Sequence, residues 1–141
     1  MKIVYETPNL TIQHDTVNAC LFLTWRGQNP TKLIKATSEI ILQQIQLTRS
    51  TNLLNDASLD LDGWGEFVSW FGHELFPKLT ATGIQAIAWV LPHNLRALAD
   101  TKNVLNLIEH SPDYRPDCPE TNTFGDVDSA YRWLQQLAAS R

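Results

Sequence analysis

Asn52-Leu-Leu-Asn-Asp56, a Trp/Phe-rich stretch from Trp64 to Leu75, Pro77, Gly83, and Ile84-Gln-Ala-Ile-Ala-Trp-Val-Leu91 before Pro92 together decide the fold. The first and last pieces are short, apolar and bounded by turn formers, as buried strands are. Between them Trp64, Phe67, Val68, Phe71 and Leu75 recur at the spacing of one helix face. Asp60 or Asp62 suits the N-cap of that helix. Pro77 predicts a bend or a division into two short helices, and Gly83 suits the C-terminal end. Strand, crossover helix and strand form the unit that builds parallel sheets. On this reading Asp56 lies just past a strand end, where α/β folds gather their sites.

Working outward, Ile3 to Glu6, Leu10 to His14 and Val17 to Trp25 read as three short antiparallel strands, separated by Pro8-Asn9 and Asp15-Thr16. A helix is expected from Pro30 or Thr31, with Leu33, Ile34, Ile40, Ile41, Ile45 and Leu47 inward and Thr48 to Thr51 at its end. After Pro92, Asn94 can cap a third helix with Leu95, Leu98, Leu105 and Ile108 inward. His110 to Glu120 carries Pro112, Pro116 and Pro119 and predicts irregular chain. Thr121 to Phe124 reads as a short edge strand. Asp126 caps a last helix with Val127, Ala130, Leu134 and Leu137 inward. The expected class is therefore α/β, one domain over 1–141, with a mixed sheet and helices packed on its faces.

Composition narrows the function classes. An apolar share of 43% against 18% charged supports a packed core. Fifteen acidic and eleven basic side chains, a net charge of −4 with no basic run, argue against nucleic acid as a partner. No apolar run approaches the roughly 20 residues needed for membrane insertion. Met1 to Glu6 lacks the apolar centre of a secretory signal, so a cytoplasmic protein is expected. Cys20 sits in an apolar run and reads as a small core residue, and Cys118 lies in a loop. Neither has a neighbouring Cys or His at metal-ligand spacing, so no metal or cofactor is expected.

The chain resembles the STAS/SpoIIAA-like family of small bacterial domains. The resemblance rests on Tyr5-Glu-Thr-Pro-Asn-Leu10 with Thr24-Trp-Arg-Gly27, on Leu53-Leu-Asn-Asp56 with Trp70 to Pro77 and Ile84 to Val90, and on Thr123-Phe-Gly-Asp-Val-Asp-Ser-Ala-Tyr-Arg-Trp-Leu134. It implies a SpoIIAA-like fold over nearly the whole chain. The antagonists that define that fold switch by phosphorylation of a serine in Asp-Ser-Ser-Gly. Here the nearest stretches are Asp60-Leu-Asp-Gly63 and Asp62-Gly-Trp-Gly65, which lack the hydroxyl, and Ser58 does not match the pattern. The phosphorylation switch is therefore not carried over.

The site candidates are few. Asp56 has a plain alternative role as a turn or cap residue, and Asn55 shares it. His93, at the exit of the strand ending in Leu91, falls on the same sheet edge as Asp56 if the strands are parallel; the two form the best general acid/base pair available. Five tryptophans are distinctive, and Trp64, Trp70 and Phe71, with His73 on the flank, mark a binding surface. Trp70 and Trp133 fall off the inner faces of their helices. Three functions follow: a non-enzymatic regulatory module acting through a partner protein or a homodimer; a binding domain for a small apolar or acyl ligand, by analogy with lipid-transfer folds; and a hydrolase or isomerase using His93 and Asp56. The second requires a cavity on the order of 300 Å³ lined by Trp and Phe.

Overall fold

The computed structural model describes residues 1–61, 74–94, 99, 102, 103, 106 and 118–140. Strands β1 (Lys2–Glu6), β2 (Leu10–Asp15), β3 (Cys20–Gly27), β4 (Asn52–Asp60), β5 (Ala86–Val90) and β6 (Glu120–Phe124) form one sheet in the order β1-β2-β3-β4-β5-β6. The first three pair antiparallel, with a register shift between Ile3 and Tyr5 of β1; β3, β4, β5 and β6 run parallel. The helices bounded among the described residues are α1 (Thr31–Thr48), α2 (Phe76–Ala81) and α3 (Val127–Ala139). The protein is thus α/β with a six-stranded mixed sheet.

Alternation along the strands divides the core in two. Leu21, Leu23 and Trp25 of β3, Leu53 of β4, and Ile87 and Trp89 of β5 join Ile34, Ile41 and Ile45 of α1 and Phe76 and Leu79 of α2 in one cluster. Cys20 and Phe22, Leu54, and Ala86, Ala88 and Val90 meet Ala130 and Leu134 of α3 in the other. All five residues of β5 are buried, as a central parallel strand covered on both faces requires.

Helix boundaries follow local chemistry. Pro30 precedes α1, and the helix ends at Arg49, whose φ of 53° is left-handed. The buried positions of α1 are Ile34, Thr37, Ser38, Ile41, Leu42 and Ile45, so the stripe is rotated from the expected one: Leu42 is inside and Leu47 is 69% exposed. Pro77 occupies the first turn of α2, where its missing N–H costs nothing. Gly83, at φ +89°, follows the end of α2 in a conformation that glycine adopts without strain. Asp126 caps α3 by accepting from Ser129 N at 2.7 Å.

Two expectations about β3 and β4 require correction. β3 begins at Cys20 rather than Val17, which is 88% exposed in the preceding turn. The turn is held by the Asp15 carboxylate, which accepts from the backbone N–H of Val17 and Asn18 and so competes with further pairing. β4 runs to Asp60, so Asp56 lies inside the strand, opposite Thr24 and Val90, instead of beyond its end. The extension pairs Leu59 and Asp60 with Arg26 and Gly27, past a register shift at Thr24/Arg26. The expected helix faces 64–75 and 95–108, apart from Leu75, lie outside the described residues, as do His110, Pro112 and Pro116.

The N-terminal hairpin and α3 are each tied to the sheet by side chains. Arg26 donates from Nη2 to Thr7 O at 3.0 Å and Thr11 Oγ1 at 2.8 Å, and from Nε to Pro8 O at 3.3 Å, closing the β1–β2 turn over β3. At the opposite end of β2, the Tyr131 hydroxyl of α3 donates to Asp15 Oδ2 and accepts from Asn18 Nδ2. Burial acts to raise the Asp15 pKa, but the bonds from Tyr131, Asn18 and Val17 outweigh it and hold the carboxyl below its ordinary value. The same bond to Asp15 pushes Tyr131 up to about 12.

A carboxyl depressed in the folded state contributes stability that is complete above the unfolded-state pKa of about 3.9 and is lost as pH falls through the lower folded value. The urea midpoint of the native chain is therefore expected to fall on acidification below about pH 4, and Asp15→Asn to flatten that part of the profile. Tyr131→Phe is expected to cost about 1.5–3 kcal/mol at neutral pH, the range for a hydrogen bond to a charged group. Unchanged urea curves for both variants would remove this tie from the account of α3 docking.

Candidate functional site

The polar atoms buried under α1 come from three adjacent strands. Leu23, Asn55 and Trp89 stand side by side in the register of β3, β4 and β5, and Trp25 is two residues further along β3 on the same face. Trp25 and Trp89 are each 2% exposed and Asn55 is 4% exposed. Trp25 Nε1 donates to Asn55 Oδ1 at 2.9 Å. An indole N–H can only donate, so this bond assigns the amide: oxygen toward Trp25, nitrogen away from it. Asn55 Nδ2 then has no partner among the described residues.

Asn55 also lines a cavity of about 30 Å³ between the sheet and helices α1 and α2. Its walls include Trp25, Trp89, Ile41, Leu79 and Ser38. Ser38 Oγ donates to Lys35 O at 2.7 Å within α1, which leaves its lone pairs free to accept. The cavity exceeds the roughly 10–15 Å³ that one water occupies on this measure. It is about a tenth of the size expected for an acyl site, and the aromatic residues among its described walls are tryptophans.

Asn55 was expected, like Asp56, to serve a turn. Because β4 continues, alternation sends the two neighbours to opposite faces: Asn55 into the α1 core, Asp56 to the face shared with Leu54. Asp56 Oδ1 accepts from Ser58 N at 3.0 Å, which is the local role weighed for it. His93 is exposed, and its backbone N–H donates to Ser58 O at 3.4 Å. Asp56 and His93 thus converge on the backbone of Ser58, on the edge where the parallel strands end, but no hydrogen bond joins their side chains. Trp64, Trp70, Phe71 and His73 lie outside the described residues. Trp133 is half-buried, its ring 5.5 Å from that of Phe124 at a 48° tilt, and so covers the end of β6.

The remaining polar clusters are structural. Asn29, 1% exposed, donates from Nδ2 to Asp60 Oδ1 at 3.2 Å and to the carbonyls of Arg26 and Gly27, holding the β3–α1 loop to the end of β4. Burial pushes the Cys20 thiol up to about 12, too high for a nucleophile. Cys20 is a free thiol. No group of three His, Cys, Asp or Glu side chains able to hold a metal occurs among the described residues. No helix among them is long and apolar enough to cross a membrane.

What sequence reading missed was the Trp25–Asn55–Trp89 line. The available signal was a single polar residue at an inward position of an otherwise apolar strand, flanked by tryptophans on the strands predicted beside it. A comparison with known protein families finds no family model that matches the chain, and a comparison with curated proteins finds no match.

Asn55→Ala leaves the buried Trp25 indole without its acceptor and is expected to lower stability by about 1–3 kcal/mol. His93→Ala, at an exposed position, is expected to stay within about 0.5 kcal/mol of the native chain. Urea unfolding of the two variants checks this, and equal losses would contradict the structural weight given to Asn55.

Proposed function

We propose that this chain is a non-catalytic binding module of the SpoIIAA-like type, acting in the cytoplasm, and that it takes a small, mainly apolar ligand between the sheet and helices α1 and α2. The observation that carries this reading is an apolar cavity lined by Trp25, Trp89 and Asn55, whose buried amide nitrogen has no partner among the described residues. A buried donor left without an acceptor costs about 1–3 kcal/mol, which a ligand oxygen offsets. The small volume limits the occupant to a compact molecule, or to the tip of a longer one whose body displaces α2.

A partner-protein role is a second reading. Leu59 and Leu61 are each 55% exposed where β4 runs past the end of β5, and they lead directly into the aromatic stretch that begins at Trp64. In this reading the end of β4 and the Trp64–Phe71 segment form one docking surface, for another protein or a second copy of the chain. The His93/Asp56 hydrolase is favoured by neither observation, since Asp56 already serves Ser58.

Xenon tests the first reading, because it enters small apolar cavities without needing a polar partner. Under xenon pressure, the methyl signals of Ile41, Leu79 and Ile87 are expected to shift saturably, and Ile41→Phe or Leu79→Phe, which fill the space, to abolish the shift. Absence of any response in the native chain would reject the cavity as a site. For the second reading, Leu59→Ser/Leu61→Ser and Trp70→Ala are expected to reduce self-association measured by solution mass; a native chain that is monomeric at all concentrations would exclude the homodimer.

A further inference from the structure

We infer that helix α2 is the lid of this cavity: its C-terminal end swings away from α1 about Gly83 and opens the seam between the two helices as the route of entry. The inference rests on the cavity-binding reading above and names the moving part of that site.

Space lies on both sides of the α1–α2 seam. Ile41 of α1 and Leu79 of α2 line the cavity on its inner side. Leu42 and Gln43 of α1 and Lys78 and Ala81 of α2 line an open groove on its outer side. Ile41 and Leu42 are chain neighbours, as are Lys78 and Leu79, so cavity and groove are divided by the seam itself. Side chains that border a void lack contact atoms on that side, so α2 is held less firmly than a helix packed along its whole inner surface.

The attachment of α2 weakens along its length. Phe76, 4% exposed, anchors the first turn in the core, and Leu79 is the last buried residue of the helix. Across the seam Lys78 Nζ meets Glu39 Oε1 at 3.5 Å, with the two side chains 52% and 71% exposed. An ion pair so exposed is screened by water and resists separation weakly. After α2 comes Gly83, where even an added Cβ would meet nothing within 4 Å. A glycine with room around it changes direction without a steric penalty. From Ile84 the chain is fixed again: Ile84 is buried, and the backbone N–H of Gln85 donates to Thr51 O at 2.7 Å. Gly83 is therefore the point that absorbs the movement. Rotation there withdraws Leu79, joins the cavity to the groove, and turns a closed void into a trough; the return of Leu79 excludes water from the occupant.

The test uses the full chain labelled with nitrogen-15, with xenon as the probe. The amides of Ala81 and Thr82 are expected to exchange with solvent through a local opening, at least about tenfold faster than those of Ile41 and Ile45. Lys78→Glu sets like charges across the seam at exposed positions. It is expected to raise that exchange, and the rates at which xenon enters and leaves, by about two- to fivefold with xenon affinity unchanged. The double variant Glu39→Lys/Lys78→Glu is expected to restore both rates. Exchange of Ala81 and Thr82 as slow as that of Ile41 and Ile45 overturns the lid. Xenon rates that stay constant in Lys78→Glu while the exchange of α2 rises overturn the seam as the entrance. In both cases saturable xenon binding by the native chain leaves the cavity reading standing, whereas no xenon binding overturns cavity and lid together.

Discussion

Burial of the parallel strands on two faces is the constraint from which the rest follows. β3, β4 and β5 cannot present one side to water, because both sides carry apolar residues. Helices must therefore cover the sheet twice, α1 and α2 on one face and α3 on the other. The antiparallel β1 and β2 extend the sheet on one side, where half-exposed positions are tolerated. Each polar group that enters this interior must bring its own partner. Tyr131 does so with Asp15 and Asn18, and Asn29 does so with Asp60. Asn55 does so through its oxygen, and its nitrogen has no partner among the described residues. Asn29 likewise keeps a buried oxygen without a partner among the described residues, so Asn55 is distinguished only by also lining the cavity.

The fold was legible in the sequence where local signals agreed with tertiary demands. The order of the described strands, the Asp126 cap and the glycine after α2 all follow from residues that have few alternative uses. The errors arose where a residue had two uses. Asp56 is a common turn former, yet β4 passes through it because β3 offers paired backbone as far as Gly27. Leu47 follows Ile40 by seven residues and so shares its flank, about 200° round the helix from Ile45, which meets the sheet.

The site was less legible for a related reason. One residue added to or removed from a strand's frame exchanges its faces, so a strand taken to end at Asn55 gives no hint of where Asn55 points. The tryptophans were noticed as an excess, but Trp25 and Trp89 matter through their neighbours in adjacent strands, a relation that appears only once the parallel register is known. The mutual positions of Asp56 and His93 show the converse. Parallel strands do bring them to one edge, but contact through the backbone of Ser58 is not the arrangement that proton transfer between side chains requires.

The register shift in β1 bears on how the protein coexists with copies of itself. β1 is an outer strand with an unpaired backbone edge and an exposed Ile3. A straight incoming strand needs evenly spaced donors and acceptors to zip along such an edge. The shift between Ile3 and Tyr5 interrupts that spacing after two residues, and Lys2 and Glu6 place a charge at either end. The outer boundary of the sheet is therefore a poor template for fibril growth, even though its composition alone would make it a good one.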